Sequence, residues 1–281
     1  MAMDLKQAAS ERIIIAAHRG VAGGNIPCNT IAAYDAALAQ GADMIEIDAN
    51  MSADGTLFIF HPKMEKRQLG VDCNIREMTD EQIAELRYQN YDRDPTEWGL
   101  CKLDEVFERY KNRCFINVDK FWDFPKEISD AIRRHNMLDQ IVVKTSPKKE
   151  FLDIIESYAP EIPYLPIIKK DQGLHEMLKG RNINYIGVEL VFDNENNEIG
   201  TEDYVRKLHA DGKLVWANAI VYNYKAVLAG GHSDDYSIAY DPEGGWGWLA
   251  DRGYDIIQTD WTLAMRLFLE QTGRRFKNKN K

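Results

Sequence analysis

The sequence predicts a (β/α)8 TIM barrel, and three observations carry that expectation. Short apolar, β-branched runs recur along the whole chain, amphipathic stretches at helical spacing separate most of them, and the chain has 281 residues, where such a barrel takes about 250. The runs are "RIIIAAH" (12–18), "MIEIDAN" (44–50), "LFIFH" (57–61), "CFINVDKF" (114–121), "IVVKT" (141–145), "YLPII" (164–168), "IGVELVF" (186–192), "KLVWANAI" (213–220) and "DIIQTD" (255–260). Strand, helix, strand, repeated throughout, argues a parallel sheet. Nine runs for eight barrel positions leave one as a loop or an extra strand. An open doubly wound sheet is the alternative, but no G-x-G-x-x-G turn follows the first run, so its dinucleotide-binding form loses support.

The first intervening stretch, "NTIAAYDAALAQG", shows the helical pattern well: Ile31, Tyr34, Ala37 and Leu38 fall on one face, and Gly41 suits a C-terminal cap. The longest irregular stretches are "YQNYDRDPTEWG" (88–99) and "GGHSDDYSIAYDPEGGWGW" (230–248), of the kind that form active-site loops. Within the latter, "GGWGWL" reads as a lid or a packed loop, and Trp246 and Trp248 lack the cationic amphipathic helix of a membrane-binding patch. No linker, composition shift or internal repeat divides the chain. The expectation is one domain over 1–281, its core about 12–270, with short polar tails including a disordered "RRFKNKNK" (274–281).

Composition narrows the classes. With 44% hydrophobic and 28% charged residues the chain is ordinary for a soluble globular protein. Thirty-five Lys and Arg against 45 Asp and Glu give a net charge of −10, which removes a general electrostatic footprint for nucleic acid or anionic membrane. Cys28, Cys73, Cys101 and Cys114 show no C-x-x-C spacing and read as free thiols of a cytoplasmic protein. The start "MAMDLKQAASER" lacks a signal-peptide pattern, and no apolar segment reaches membrane-spanning length.

Polar residues recur where the runs end. "AAHRG" ends the first with His18 and Arg19; alone it reads as a strand end entering a glycine turn. Glu46 and Asp48, His61, and Asp119 end three more runs, where a barrel gathers its catalytic groups. Glu46 and Asp48 are two apart, so both leave one face of a strand while Ile45 and Ile47 leave the other. Paired carboxylates repel unless a cation sits between them, and a hard ion such as Mg2+ or Ca2+ fits, with Asp119 as third ligand; a solvated charged edge is the bland reading. His18 and His61 lack a zinc spacing and suit acid and base roles. Lys144 ends another run, facing the site or the surface. Glu189 lies in the site or is paired in the core; Trp216 and Asn218 share a face that borders the pocket or the core. His135, His175, His209 and His232 read as surface residues.

"AAHRG" followed by "CNT", then "GADMIEIDANMSADGTLFIFH", "INVDK", "VWAN" and "DIIQTD" together resemble the glycerophosphodiester phosphodiesterase family, across about residues 13–268. The resemblance implies metal-dependent hydrolysis of a small phosphodiester to glycerol 3-phosphate and an alcohol, with no nucleic-acid partner and no membrane insertion. It implies that His18 and His61 are the acid and base, that Arg19 binds phosphate, and that Glu46 and Asp48 are metal ligands completed by Asp119, where the family more often has glutamate. Lys144, Glu189 and Trp216 are further substrate-binding candidates. A cyclising lyase or a non-catalytic binding barrel are the other functional classes. Three departures stand out: Cys28 replaces a carboxylate, Pro62 replaces an aspartate after His61, and Lys120 is adjacent to Asp119 instead of two residues on, so that on a regular strand it points away.

Overall fold

The structure, a computed structural model, describes residues 3–222 and 225–277. All nine runs form strands: β1 (Ile14–Ala17), β2 (Met44–Met51), β3 (Leu57–Ile59), β4 (Phe115–Asp119), β5 (Ile141–Thr145), β6 (Tyr164–Ile168), β7 (Gly187–Leu190), β8 (Leu214–Asn218) and β9 (Ile256–Thr259). Eight of them pair in parallel, in the order β1-β9-β8-β7-β6-β5-β4-β2, and β1 pairs back on β2 to close the barrel. The ninth, β3, is the extra strand. It pairs antiparallel with the protruding end of β2, Asn50 opposite Phe58, because Gly55, at φ 85°, lets the chain double back within "SADGT".

The alternation along each strand sorts the core into two layers. Met44, Phe115, Val142, Leu165, Trp216 and Ile256 fill the barrel interior. Their neighbours Ile45, Ile116, Val143, Val215 and Ile257 pack outward against the helices. Both faces are therefore dry, which is why the strands read as continuous apolar runs. The helices are α1 (Leu5–Glu11), α2 (Ile31–Ala39), α3 (Glu65–Gln68), α4 (Asp80–Ala84), α5 (Leu103–Tyr110), α6 (Pro125–Arg134), α7 (Lys149–Tyr158), α8 (Leu174–Leu178), α9 (Glu202–Ala210), α10 (Asp234–Ala239), α11 (Trp248–Asp251) and α12 (Thr262–Gln271). In α2 the Thr30 side chain caps the start and Gly41, at φ 92°, ends it. None of these helices is long and apolar enough to cross a membrane.

Five expectations change. The N-terminal segment is α1, capped by Asp4, and its Leu5 and Ala9 close the barrel floor by joining the interior cluster. The C-terminal tail is tied down in its first half: Ile13 N donates to Arg275 O at 3.0 Å and Lys277 N to Glu11 O at 2.8 Å, and buried Arg275 pairs with Asp43 at 2.6 Å. Residues 278–281 lie outside the described residues. The stretch 230–248 is α10 and a π-turn (Glu243–Gly247) leading into α11. Trp246 is buried there, and Gly245 is required because a Cβ would collide with Ser237 Oγ, so "GGWGWL" is a packed segment and not a lid. His232 is buried and stacks on Trp248 with ring centroids 3.6 Å apart; burial of its ring in that stack is what the sequence hides. The stretch 88–99 joins a side cluster with Phe58, Phe60, Leu69, Ile75, Ile83 and Tyr88.

Candidate active site

The mouth of the barrel is built where β1, β2, β4 and β9 end. His18 follows β1, and its Nδ1 bonds Asp260 Oδ1 at 2.9 Å, from the residue after β9. Its Nε2 is buried with no partner among the described residues. Burial pulls the imidazole pKa down, but the bond to Asp260 and the charges of Glu46 and Asp260 outweigh it, leaving a net rise. Arg19 and Gly20 both take left-handed backbone, at φ 58° and 79°. That turn aims the Arg19 amide at Glu46 Oε2, 2.9 Å away, and brings Arg19 Nε to 2.9 Å from Asp48 Oδ2. The arginine tolerates a conformation that favours glycine because a backbone hydrogen bond to Glu46 and an ion pair with Asp48 hold it. Gly20 admits no side chain, since a Cβ would sit 2.7 Å from the Ala33 carbonyl carbon.

Glu46 and Asp48 both face inward, as their spacing requires, and are almost fully buried. With Asp119 they present carboxylate oxygens all within 4.8 Å of one another. Burial pushes the Glu46 carboxyl up to about 7, with Asp48 adding to the rise. Asp119 goes the other way: burial would raise it, but Lys120 and Lys144 pull it below its ordinary value. Asp48 Oδ1 accepts no hydrogen bond. Three clustered carboxylates with an orphaned oxygen form an all-oxygen donor set, which fits a hard divalent cation.

Lys120 corrects the expectation that it points away. The strand stops at Asp119, and Lys120 takes φ 61°, left-handed. That reversal turns its side chain back into the mouth, where the ammonium pairs with Asp119 and stands 3.5 Å from Asp48 Oδ1. A lysine one residue after the carboxylate thus reaches the place expected of one two residues after it.

His61 arrives from the β2–β3 hairpin, held by the Phe60 N to Asp48 O bond of 2.8 Å. Its Nδ1 lies 2.9 Å from the carbonyl oxygen of Pro62. A carbonyl only accepts, so Nδ1 carries the hydrogen and Nε2 keeps its lone pair. Burial lowers the His61 pKa; Asp48 opposes this, while Arg19 and Lys120 assist it. Cys28 lies beside Arg19, its Sγ 3.3 Å from Gln68 Nε2, and burial pushes its thiol up to about 11. The departure at Cys28 therefore puts a neutral group where a charged one was expected.

Lys144, Glu189 and Trp216 form one buried network. Lys144 Nζ pairs with Glu189 Oε2 at 2.6 Å and lies 4.0 Å from the Trp216 ring centroid. Asn218 links Glu189 (2.6 Å) to Trp216 Nε1 (3.1 Å). Lys144 is thus no surface residue, and wholly buried Trp216 is its support beneath the mouth, not a wall of the pocket.

The sequence reading leaves out Asp260, Asn29 and Asp234 as site residues. Asn29 is fully buried and donates to Asp48 Oδ2 at 2.9 Å; Tyr34 OH donates to its Oδ1 at 3.0 Å. Asp234 Oδ2 accepts from Asp260 N at 2.7 Å, and its Oδ1 from Trp246 Nε1 (2.7 Å) and Thr259 Oγ1 (2.8 Å). Asp260 was legible, because it ends a run as Asp119 does and β9 must lie beside β1 in a closed barrel.

Fold and mouth together define a TIM-barrel protein with an acidic centre suited to a divalent cation, flanked by two histidines. The chain belongs to the glycerophosphoryl diester phosphodiesterase family, whose profile matches residues 18–219. It is 26% identical over 230 residues to a glycerophosphodiester phosphodiesterase of Bacillus altitudinis, covering 72% of this chain and 83% of that one. It is 29% identical over 161 residues to a human lysophospholipase D, covering 53% of this chain and 49% of that protein. The match to a glycerophosphodiester phosphodiesterase of Caldanaerobacter subterraneus, 26% identical over 166 residues, spans 54% of this chain and 65% of the relative's length. Among solved structures, a glycerophosphoryl diester phosphodiesterase from Parabacteroides distasonis superposes with a TM-score of 0.78 at 14% identity, covering 99% of this chain and 98% of that one. A phosphodiesterase of Oleispira antarctica, solved with the product sn-glycerol-3-phosphate, gives 0.66 at 19% identity, covering 92% and 97%.

Proposed function

We propose that the protein hydrolyses glycerophosphodiesters to glycerol 3-phosphate and an alcohol, dependent on a divalent cation such as Mg2+ or Ca2+. The observation that carries this reading is the opposed tuning of two imidazoles beside one carboxylate cluster. His18 is raised and stabilised as an imidazolium by Asp260, whereas His61 is lowered with Nε2 unprotonated. Groups pushed apart in this way suit an acid and a base at one pH.

Glu46, Asp48 and Asp119 would hold the cation, which supplies charge neutralisation at the phosphoryl oxygens and lowers the cost of the developing negative charge. Arg19 keeps guanidinium donors beyond its Asp48 contact and binds a phosphate oxygen. His61 Nε2 takes a proton from the attacking water, whose oxygen bonds to phosphorus as the bond to the departing alkoxide breaks. His18 Nε2, buried and without another partner, hands a proton to the departing alkoxide. Lys120 offsets part of the cluster's negative charge and holds Asp119 by their ion pair, and the nearby Lys144 ammonium favours the charged form of Asp119. The family membership and the product complex of the Oleispira relative support the same reaction.

The test is release of glycerol 3-phosphate from glycerophosphocholine and glycerophosphoglycerol with Mg2+, Ca2+ or EDTA. Turnover should vanish with EDTA and fall on the order of 10²-fold or more in His18→Ala and in His61→Ala. Turnover unchanged by chelation would overturn the metal role, and a His18→Ala variant as active as the parent would overturn the acid.

A further inference from the structure

The loop after β8 brings one more side chain to the mouth, Tyr222, which neither the two imidazoles nor the carboxylate cluster accounts for. The segment that carries it is anchored at its start: Ala219 N donates to Gln258 O at 2.8 Å, and Asp234 N to Ala219 O at 2.7 Å. Tyr222 itself sits in a tight turn, its carbonyl accepting from Ala226 N at 2.8 Å and its amide donating to Ala226 O at 3.3 Å. In the barrel β9 lies between β8 and β1, so the tyrosine spans the end of β9 to meet His18. The two ring centroids are 6.0 Å apart and the planes stand at 85°, an edge-to-face contact.

The charges that act on the phenol show where its hydroxyl stands. They are those of Glu46, Asp119, Arg19 and Lys120, which come from the ends of three different strands and converge. Glu46, Asp48 and Asp119 present oxygens within 4.8 Å of one another, Arg19 lies 2.9 Å from Asp48, and Lys120 pairs with Asp119. A hydroxyl that feels all four lies over the point they surround. Burial raises the phenol pKa above its ordinary value; Glu46 and Asp119 add to the rise, and Arg19 and Lys120 oppose it. The oxygen therefore keeps its hydrogen and is a donor. No described residue accepts that hydrogen, and the residue remains 38% exposed, open to an incoming molecule.

We infer that Tyr222 is a further catalytic residue, whose hydroxyl donates a hydrogen bond to a non-bridging phosphoryl oxygen as negative charge builds there in the transition state. This rests on the hydrolase reading above. Arg19 and Lys120 are engaged in part by Asp48 and Asp119, whereas the phenol is uncommitted. A neutral donor held by its backbone and by an aromatic contact gains most when the oxygen is most negative, so it favours the transition state over the bound diester.

The experiment measures kcat and KM on glycerophosphoglycerol with Mg2+ for the parent and for Tyr222→Phe, together with the Kd of orthovanadate and of inorganic phosphate. Phenylalanine keeps the ring against His18 and removes only the donor. Turnover should fall on the order of 10²-fold in kcat, with KM little changed. Vanadate, which takes the five-coordinate geometry of the transition state, should bind more weakly by a similar factor, and phosphate by far less. Tm and the pH limits of the kcat/KM profile should match the parent's, which separates a lost donor from a displaced His18. A variant as fast as the parent, a shifted pH profile, or equal weakening of vanadate and phosphate would overturn the inference. Turnover by the parent with an equally fast Tyr222→Phe sinks the tyrosine's role alone. A parent that turns over no glycerophosphodiester while its vanadate binding still depends on the phenol sinks the hydrolase and keeps the contact.

Discussion

Asp260 accepts the Nδ1 hydrogen of His18 at 2.9 Å, across the seam where β9 meets β1. The bond fixes which nitrogen of His18 faces the mouth and favours its charged form. Asp260→Asn keeps the size and loses the charge. It should reduce kcat by about 10–100-fold, the usual effect of removing a partner that orients a working imidazole. It should also move the alkaline limb of the kcat/KM profile to lower pH, since the acid then loses its proton earlier. A pH profile with an unmoved alkaline limb would sink the assignment of His18 as the acid.

Asp234 stands one step further back, bonded to Trp246, Thr259 and the Asp260 amide. Burial raises its carboxyl from 3.8 to about 7, although all three bonds favour the anion. The folded state therefore keeps a proton that the unfolded state has released, so this group costs stability progressively as pH rises from about 4 to 7. Asp234→Asn should flatten that part of the stability curve, measured by urea unfolding at pH 5 and pH 8, and lower kcat with KM little changed. Equal pH dependence in parent and variant would show the carboxyl ionises normally.

The carboxylate cluster has its own linkage. Glu46 rises from 4.5 to about 7 when only its neighbours compensate it, so protons and a divalent cation compete for it. Added Mg2+ should raise Tm more at pH 8 than at pH 6. In Glu46→Gln that difference should shrink and turnover be lost. A cation-induced rise in Tm that is the same in Glu46→Gln as in the parent would remove Glu46 from the binding site.

Lys120 lets backbone and charge be separated. Its left-handed conformation costs about 1–2 kcal/mol in a residue with a Cβ. Lys120→Gly should be more stable than Lys120→Ala by roughly 1 kcal/mol, while both lose turnover to the same degree. Denaturant midpoints and kcat/KM on one preparation check both halves; equal midpoints would mean the turn is unstrained.

These residues also show what sequence can disclose. The nine strand segments and the shared face of Glu46 and Asp48 follow from local periodicity, a property of each segment alone, whereas which of the nine stands outside the barrel does not, since that is decided by pairing. Lys120 was misplaced because spacing arguments assume a regular strand, and one left-handed residue reverses their conclusion. Asn29, Asp234 and His232 stayed hidden for a different reason. Each lies in a segment without periodicity, and its partners Asp48, Trp246 and Trp248 are 12 or more residues away, so only the closed barrel brings them together. Leu5 and Ala9 belong with them, because a seven-residue helix becomes visible only when a barrel floor is there to receive it.

That floor has a consequence for traffic. With α1 seated beneath Met44, Phe115 and Trp216, apolar side chains plug the barrel at the end opposite Asp48. The mouth above Asp48, where Arg19, His18 and His61 stand, is then the entrance that cation and substrate share. Whatever occupies the phosphate position then stands in the path by which a cation would leave, so occupancy of the mouth and retention of the ion become the same event.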